Sequence, residues 1–191
     1  MSNAIARPVE YLLALSVRRV LTVIIGTALM TLAAKVQIPF WPVPMTLHTM
    51  AVMSFAVAFG PRIAVSIFLA YLAAGAVGLP VFSGSPERGI GLAYMVGPTG
   101  GYLLGYLIAS WLVGVLAAGK GTAGRAAAML AGMVPIYAVG MAWLAAYVPA
   151  SQLLAVGVMP FLLGDLVKIG MIAACGMVLP ASFAWLRGEA E

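Results

Sequence analysis

The sequence is poor in charged side chains, which make up only 8% of its 191 residues. Soluble domains carry about 25%. Because 64% of the residues are hydrophobic and the mean hydropathy is +1.11, this composition suits a surface that faces lipid. No cluster of Lys and Arg with interleaved aromatic residues is present, so nucleic-acid binding is not indicated. We therefore expect one integral membrane domain.

Residues with chemical reactivity are equally scarce, since there is one Cys, one His and five acidic residues. Cys175 alone makes neither an internal disulfide nor a metal site, and we expect it to be a small buried apolar side chain. His48 has no second soft ligand nearby, which argues against a metal site. An intramembrane enzyme would need a nucleophile–base pair or a ligand set at membrane depth, and the apolar runs offer neither. We predict a protein that is not an enzyme and has no cofactor.

Two further absences argue against a channel and against a transporter that hydrolyses ATP by itself. The inner halves of the apolar runs are almost purely apolar, whereas a channel needs a polar path from one side to the other. A Walker A motif is also lacking, so energy for uphill transport must come from partner proteins or from an ion gradient.

Long apolar runs are what the sequence does contain, and a helix needs about 20 apolar residues to cross a bilayer. The sequence predicts an all-α membrane protein with six transmembrane helices, at residues 20–36, 43–60, 63–80, 92–118, 126–148 and 153–186. The fourth and sixth runs are longer than a straight crossing needs, so they are tilted or begin in a non-helical stretch. Residues 1–17 form either a short interfacial helix or a flexible lead-in to the bundle of residues 20–186.

The basic residues predict the orientation, because cytoplasmic flanks are enriched in Lys and Arg. With the N-terminus in the cytoplasm, seven basic residues lie inside: Arg7, Arg18, Arg19, Arg62, Lys120, Arg125 and Arg187. Two lie outside, Lys35 and Arg88. An even number of spans then places both termini in the cytoplasm.

Two charged residues, Asp165 and Lys168, lie within the last predicted span. A charge at the centre of a bilayer costs about 2.5–3.5 kcal/mol on insertion scales. Residues three apart share a helix face, so both side chains point into the bundle or into a polar cavity. We expect a ligand site there, in the outer half of the span; the alternative is that the two residues merely pair with each other.

Three further segments are predicted on the same outer side. The proline-rich segment before span two carries Thr46 and His48, and it is either a stiff connector with an aromatic anchor or part of a cavity. The loop from Gly78 to Gly91 is rich in Gly and Pro. It is either a connector or a lid with Phe82 as its apolar plug.

The third segment, Gly97–Gly105, repeats glycine every four residues, which is typical of close helix packing. Its Gly100-Gly101 pair also leaves backbone N–H and C=O groups accessible to a small polar ligand near the start of a helix. Thr99 and Tyr102 flank this pair.

These segments, in this order, resemble the BioY family, the biotin-specific substrate-binding (S) components of energy-coupling-factor (ECF) transporters. The matching strings are Ile38-Pro-Phe with Val43-Pro-Met-Thr-Leu and Ala51-Val, Gly78-Leu-Pro-Val-Phe, Gly97-Pro-Thr-Gly-Gly-Tyr-Leu-Leu-Gly105, and Pro160-Phe-Leu-Leu-Gly-Asp-Leu-Val-Lys168. The resemblance covers residues 20 to 180. One position departs from it, because the family usually has Gln where this chain has His48.

The resemblance implies a six-helix fold with an outward-facing biotin pocket closed by loops. It implies that Asp165 and Lys168 serve biotin binding. Biotin has a ureido ring, an apolar thioether ring and chain, and a carboxylate. Asp165 can accept from a ureido N–H, and Lys168 can donate to the ureido oxygen or neutralise the carboxylate. Phe82, Tyr94 and Tyr102 can cover the apolar rings.

The resemblance also implies partners and a location. Family members pair with a transmembrane coupling subunit and two ATP-binding subunits, and some work alone or as oligomers. The expected location is the cytoplasmic membrane of a prokaryote. The alternatives are an S component for another vitamin, or a solitary small-molecule transporter; an intramembrane enzyme has less support.

Span one carries a stripe of small residues, Gly26, Thr27, Thr31 and Ala34, on one helix face. Small residues allow close helix contacts in lipid. The stripe packs inside the chain or, as the resemblance implies, docks the coupling subunit.

Overall fold

The computed structural model describes residues 3–38, 45–87 and 89–175, with side chains described from residue 17 onward. Within these ranges the chain is mostly helical, as the apolar runs predict. The elements in chain order are α1 (Asn3–Lys35), β1 (Gln37–Ile38), β2 (Met45–Thr46), α2 (His48–Ala76), α3 (Gly91–Met95), α4 (Gly100–Leu116), α5 (Thr122–Leu144), a 3-10 turn (Ala150–Gln152), α6 (Leu153–Gly157) and α7 (Met159–Cys175).

Four helical stretches of the described chain are long and apolar enough to cross a membrane. They are Val17–Lys35, His48–Ala76, Thr122–Leu144 and Ala150–Cys175, and Gly100–Leu116 is a shorter apolar helix. The first belongs to α1, a single helix of 33 residues, about 50 Å long. Residues 3–16 form the start of this helix.

Helix α2 is a helical hairpin. Gly60 has φ 75° and ψ 178°, a conformation that favours glycine, and Pro61 then starts the second arm without losing a needed hydrogen bond. The ring centroids of His48 and Tyr71 are 5.2 Å apart, whereas a straight helix over that separation would place them about 34 Å apart. The arms 48–59 and 61–76 are thus antiparallel, and they meet at the predicted break between spans two and three.

The small-residue stripe of α1 packs against the second arm of this hairpin. A Cβ at Gly26 would lie 2.5 Å from Cδ1 of Ile67, the Thr27 hydroxyl donates to the Ile67 carbonyl at 3.4 Å, and Ala34 is fully buried. Thr31 is half-buried and donates to the Thr27 carbonyl. These contacts are those of internal packing, the first of the two sequence-based alternatives, and docking of a coupling subunit by the same stripe stays a prediction.

The outward face of α1 carries large apolar side chains instead, including Val20, Leu21, Ile24, Ile25, Leu29 and Leu32. Cys175, expected to be buried, is exposed at the end of α7.

Glycines bring α4 and α5 into close contact. A Cβ at Gly105 would lie 2.7 Å from the Ile136 Cα, and one at Gly101 would lie 2.2 Å from the Trp143 Cβ. Both positions of the Gly97–Gly105 segment therefore serve the packing that their four-residue spacing predicts.

Both of the long runs begin with a short helix and a break, which differs from the non-helical start that was one of the two predicted alternatives. Residues 96–99 separate α3 from α4, and Val158, with φ −129° and ψ −56°, separates α6 from α7. These breaks place polar backbone and side chains at one end of the bundle.

The proline-rich connector is flanked by an unpredicted pair of two-residue antiparallel strands, with Gln37 opposite Thr46, and its residues 39–44 lie outside the described residues. Its aromatic anchor, Phe40 and Trp41, lies outside the described residues, as do Arg187 and the predicted end of span six at residue 186.

Candidate ligand-binding site

The two intramembrane charges form an ion pair at the centre of a hydrogen-bond network. Lys168 Nζ lies 3.0 Å from Asp165 Oδ1, and the two residues are only 6% and 4% exposed. Lys168 Nζ also donates to the Thr46 carbonyl at 2.8 Å, and the Tyr137 hydroxyl donates to Asp165 Oδ2 at 2.7 Å. The pair thus connects α7 to β2 and to α5.

The network leaves hydrogen-bonding capacity for a ligand. An ammonium group has three N–H donors and a carboxylate has about four acceptor sites. Within the described chain, Lys168 uses two donors and Asp165 accepts two bonds. A polar ligand can therefore add bonds to both groups without breaking the existing ones.

The pair lines a cavity of about 290 Å³ between α2, α4, α5 and α7. This volume lies near the lower end of small-molecule sites, which begin at about 300 Å³. The walls combine polar side chains with aromatic and aliphatic ones; the lining residues are Thr46, His48, Thr49, Ser83, Tyr94, Pro98, Thr99, Tyr102, Leu103, Tyr106, Ile136, Tyr137, Leu144, Val156, Phe161, Asp165 and Lys168.

Seven of the eight residues that the sequence predicted for ligand binding lie in this lining: Asp165, Lys168, Tyr102, Thr99, Tyr94, His48 and Thr46. Phe82 does not. It is fully buried behind Tyr94, with the two rings stacked at a centroid distance of 4.6 Å and an angle of 12°. Phe82 is therefore buried as an apolar plug would be, which was one of the two sequence-based alternatives for this loop, and it supports the cavity wall without lining it.

His48 presents an unused polar atom. Its Nε2 is buried and has no hydrogen-bond partner in the part of the chain that the structure describes. Its ring packs against Tyr106 at 4.7 Å and Tyr71 at 5.2 Å. A buried nitrogen without a partner is costly unless a ligand or water satisfies it, and His48 lines the cavity.

Tyr102 has a structural contact as well as a place in the wall. Its hydroxyl donates to the Gly157 carbonyl at 2.8 Å, which holds α4 against α6. A Cβ at Gly140 would lie 2.4 Å from the Tyr102 ring, so glycine on α5 makes room for this tyrosine.

Sequence reasoning missed the tyrosines that complete the network. Tyr137 donates to Asp165, and the Tyr106 hydroxyl lies 3.1 Å from Thr49 Oγ1. A signal was available, because a tyrosine hydroxyl in an apolar span needs a partner. The partner itself was not readable, since Tyr137 and Asp165 come from different helices.

A larger groove, of about 640 Å³, lies at the opposite end of the helices, where the α2 hairpin turns. Arg19 and Arg62 line it together with apolar residues of α1 and with the Gly60-Pro61 turn. It contains none of the residues predicted for ligand binding. Exposed arginines beside apolar walls lack the buried acceptor–donor pair of the smaller cavity, so we assign ligand binding to the cavity at Asp165 and Lys168.

Comparison with known proteins identifies the family. The sequence model of the BioY family matches residues 5–184. The "Biotin transporter BioY" of Thermotoga maritima is 36% identical over 157 residues, covering 81% of this chain and 91% of that protein. The "Probable biotin transporter BioY" of Pyrococcus horikoshii is 34% identical over 151 residues, covering 79% and 89%.

A solved structure, described as the S-component for biotin from an ECF-type ABC transporter, is also similar. It has a TM-score of 0.70 and 26% sequence identity, and the match covers 83% of this chain and 88% of that one. The agreement of sequence and fold over most of both chains leads to one conclusion: this chain belongs to the BioY family.

Proposed function

We propose that this chain is the biotin-binding membrane subunit of a vitamin uptake system and captures biotin in the cavity at Asp165 and Lys168. The observation that carries the proposal is a buried, only partly satisfied ion pair facing a cavity of small-molecule size. Membership of the BioY family supports biotin as the ligand, since relatives across most of the chain are named biotin transporters.

The chemistry of the cavity suits biotin. The ureido group offers two N–H donors and one carbonyl acceptor, and Asp165 and Lys168 present the complementary acceptor and donor side by side. His48 Nε2 supplies a further hydrogen-bonding atom. Tyr94, Tyr102 and the aliphatic wall cover the apolar ring and chain. Hydrogen bonds to charged groups contribute about 1.5–3 kcal/mol each, so a few of them with apolar burial give nanomolar affinity, near about −12 kcal/mol.

We place the cavity on the outer side of the cytoplasmic membrane of a prokaryote. The chain then crosses the membrane six times, with the two arms of the α2 hairpin counted separately, and both termini are cytoplasmic. Two contacts support this polarity. Arg19 and Arg62 line one groove at the hairpin turn, whereas Lys35 contacts Ser85 near the cavity. The basic excess thus lies at the end away from the proposed ligand site.

The chain acts in this proposal as a single membrane domain that binds and does not catalyse. Uptake against a gradient draws energy from an ECF coupling subunit with two ATP-binding subunits, in line with the ECF-type transporter to which the similar structure belongs.

The test is uptake of radiolabelled biotin by biotin-auxotrophic cells that express the chain with and without an ECF energising module. Biotin accumulation above that of cells carrying Asp165→Asn/Lys168→Met supports the proposal. Parallel assays with thiamine and riboflavin test an S component for another vitamin. Uptake of either of these without uptake of biotin would contradict the assignment.

A further inference from the structure

The loop after α2, residues 77–87, closes over one side of the cavity and is held down at several points. Ser83 of this loop lines the cavity. Tyr71 donates from its hydroxyl to the Val81 carbonyl at 3.3 Å. Phe82 is fully buried against α2, where a Cβ at Gly75 would lie 2.0 Å from its ring. These two anchors lie in the middle of the loop, before Ser85.

The far part of the loop is held by a charged residue from another element. Lys35, the last residue of α1, donates from Nζ to the Ser85 carbonyl at 2.5 Å and to the Ser85 hydroxyl at 3.1 Å. Ser85 is itself buried, and its hydroxyl donates to the Phe82 carbonyl at 2.8 Å. The ammonium of Lys35 therefore binds both oxygens of one serine, and that serine is bonded to the plug residue.

The contact reaches the cavity through stacked rings. Phe82 stacks on Tyr94, and Tyr94 lines the cavity. A shift of Ser85 would move the Phe82 carbonyl and with it the ring behind Tyr94. The loop and the aromatic wall thus form one packed unit. Among the described residues outside the loop, only Lys35 donates a side-chain hydrogen bond to Ser85.

We propose that Lys35 is a positioning residue that holds the 77–87 loop closed over the bound ligand and thereby slows ligand release. The proposal rests on the proposed function, since it assigns a gating role to the wall of the same cavity. Hydrogen bonds from an ionised donor are stronger than neutral ones. Their loss frees Ser85 and, through the Ser85–Phe82 hydrogen bond, loosens the plug behind Tyr94, while the hydrogen bond from Tyr71 to Val81 remains. Lys35 does not line the cavity, so its effect is on the rate of opening and not on ligand contacts.

The experiment measures dissociation of radiolabelled biotin from the purified full-length protein after addition of excess unlabelled biotin. Lys35→Met removes the ammonium and keeps the length of the side chain. We expect release to be roughly threefold to tenfold faster, in line with the loss of hydrogen bonds from a charged donor at a partly exposed site. Lys35→Arg, which keeps a cationic donor, is expected to restore slow release.

The matched control is Lys120→Met, which makes the same change in net charge at an exposed position beyond α4. It is expected to release biotin at the wild-type rate. The midpoint of thermal unfolding is measured for each variant. If Lys35 had only a structural role, Lys35→Met would lower this midpoint, and Lys35→Arg would not return the release rate to that of the wild type. If Lys35→Met does not purify as a folded protein, Lys35→Gln replaces it under the same criteria.

The outcomes separate this proposal from the one on which it rests. Wild-type protein that retains no biotin contradicts the proposed function. Wild-type protein that retains biotin, with Lys35→Met releasing it at an unchanged rate, overturns the role of Lys35 alone. Equal acceleration in Lys35→Met and Lys120→Met would also overturn it, because the effect would then follow net charge.

Discussion

At the scale of single residues, the main feature is an acid and a base that are buried together yet not fully satisfied. Asp165 and Lys168 pair with each other, with the Tyr137 hydroxyl and with the Thr46 carbonyl. Replacing a buried ion pair by apolar residues is often neutral for stability, whereas removing one partner costs about 3–5 kcal/mol in soluble proteins. Single and double substitutions therefore separate a structural pair from a ligand site.

We predict that Asp165→Asn and Lys168→Met each weaken biotin binding at least about tenfold, which corresponds to about 1.4 kcal/mol. Each removes one of the two charged groups that face the ligand and leaves the other buried without its counter-charge. Titration calorimetry measures the affinity, and the thermal unfolding midpoint reports stability. Wild-type affinity in either single variant would exclude that residue from the site.

The double variant Asp165→Asn/Lys168→Met is the control for the single ones. We expect it to unfold at a higher temperature than either single variant, because no unpaired charge remains, and yet to bind biotin no better. Recovery of both stability and affinity would mean that the pair is only structural.

At the scale of elements, glycines decide where helices approach. The backbone of α4 passes so close to α5 that a Cβ at Gly105 would overlap Ile136. The same is true of Gly26 on α1 against Ile67 on α2. These contacts set the spacing of the helices around the cavity.

We predict that Gly105→Ala lowers the thermal unfolding midpoint, although alanine favours helix over glycine by about 1 kcal/mol. Its methyl group would meet backbone atoms of α5 that cannot move aside, and such overpacking costs about 1–3 kcal/mol. Gly170→Ala is the matched control, since Gly170 is an exposed residue inside α7 and nothing lies within 4 Å of a Cβ there. An equal midpoint in the two variants would contradict this packing.

The elements also show what the sequence can and cannot predict. Apolar runs and Gly–Pro breaks predict the helices and the hairpin turn at Gly60, because these follow from local chemistry. The short helices that begin the two long segments were not predicted. The partner that a stripe of small residues packs against does not follow from local chemistry. Gly26 and Ala34 suit an internal or an external contact equally, and only the position of α2 decides between them.

The same limit applies to the candidate site. The spacing of Asp165 and Lys168 places both on one face of α7, so their proximity was predictable. The roles of Tyr137 and Thr46 were not, since each reaches the pair from a distant part of the chain. The sequence offered Phe82 both as a plug and as a ligand contact, and its position behind Tyr94 depends on packing that no local pattern encodes.

At the scale of the whole molecule, the two ends of the helix bundle differ in charge and in the cavities that they carry. One carries the hairpin turn with Arg19 and Arg62, and the other carries the cavity and the 77–87 loop. If the basic end faces the cytoplasm, biotin enters from outside and the groove at the hairpin turn faces the cell interior.

We predict that the basic end faces the cytoplasm, and cysteine labelling in intact cells tests this orientation after replacement of Cys175 by Ser. Glu87→Cys places a thiol on the exposed part of the 77–87 loop, and Gly121→Cys places one beyond α4 at the other end. An impermeant thiol reagent is expected to modify the first and not the second until the cells are permeabilised. The reverse pattern would invert the topology.

Titration of the purified, ligand-free protein with biotin, dethiobiotin, thiamine and riboflavin tests the central claim most directly. The cavity at Asp165 and Lys168 predicts saturable binding of biotin, one molecule per chain and with nanomolar affinity, and no saturable heat with thiamine or riboflavin. Dethiobiotin, which keeps the ureido group and the carboxylate but lacks the thioether bridge, is expected to bind more weakly than biotin. Saturable binding of thiamine or riboflavin, with none of biotin, would contradict the account.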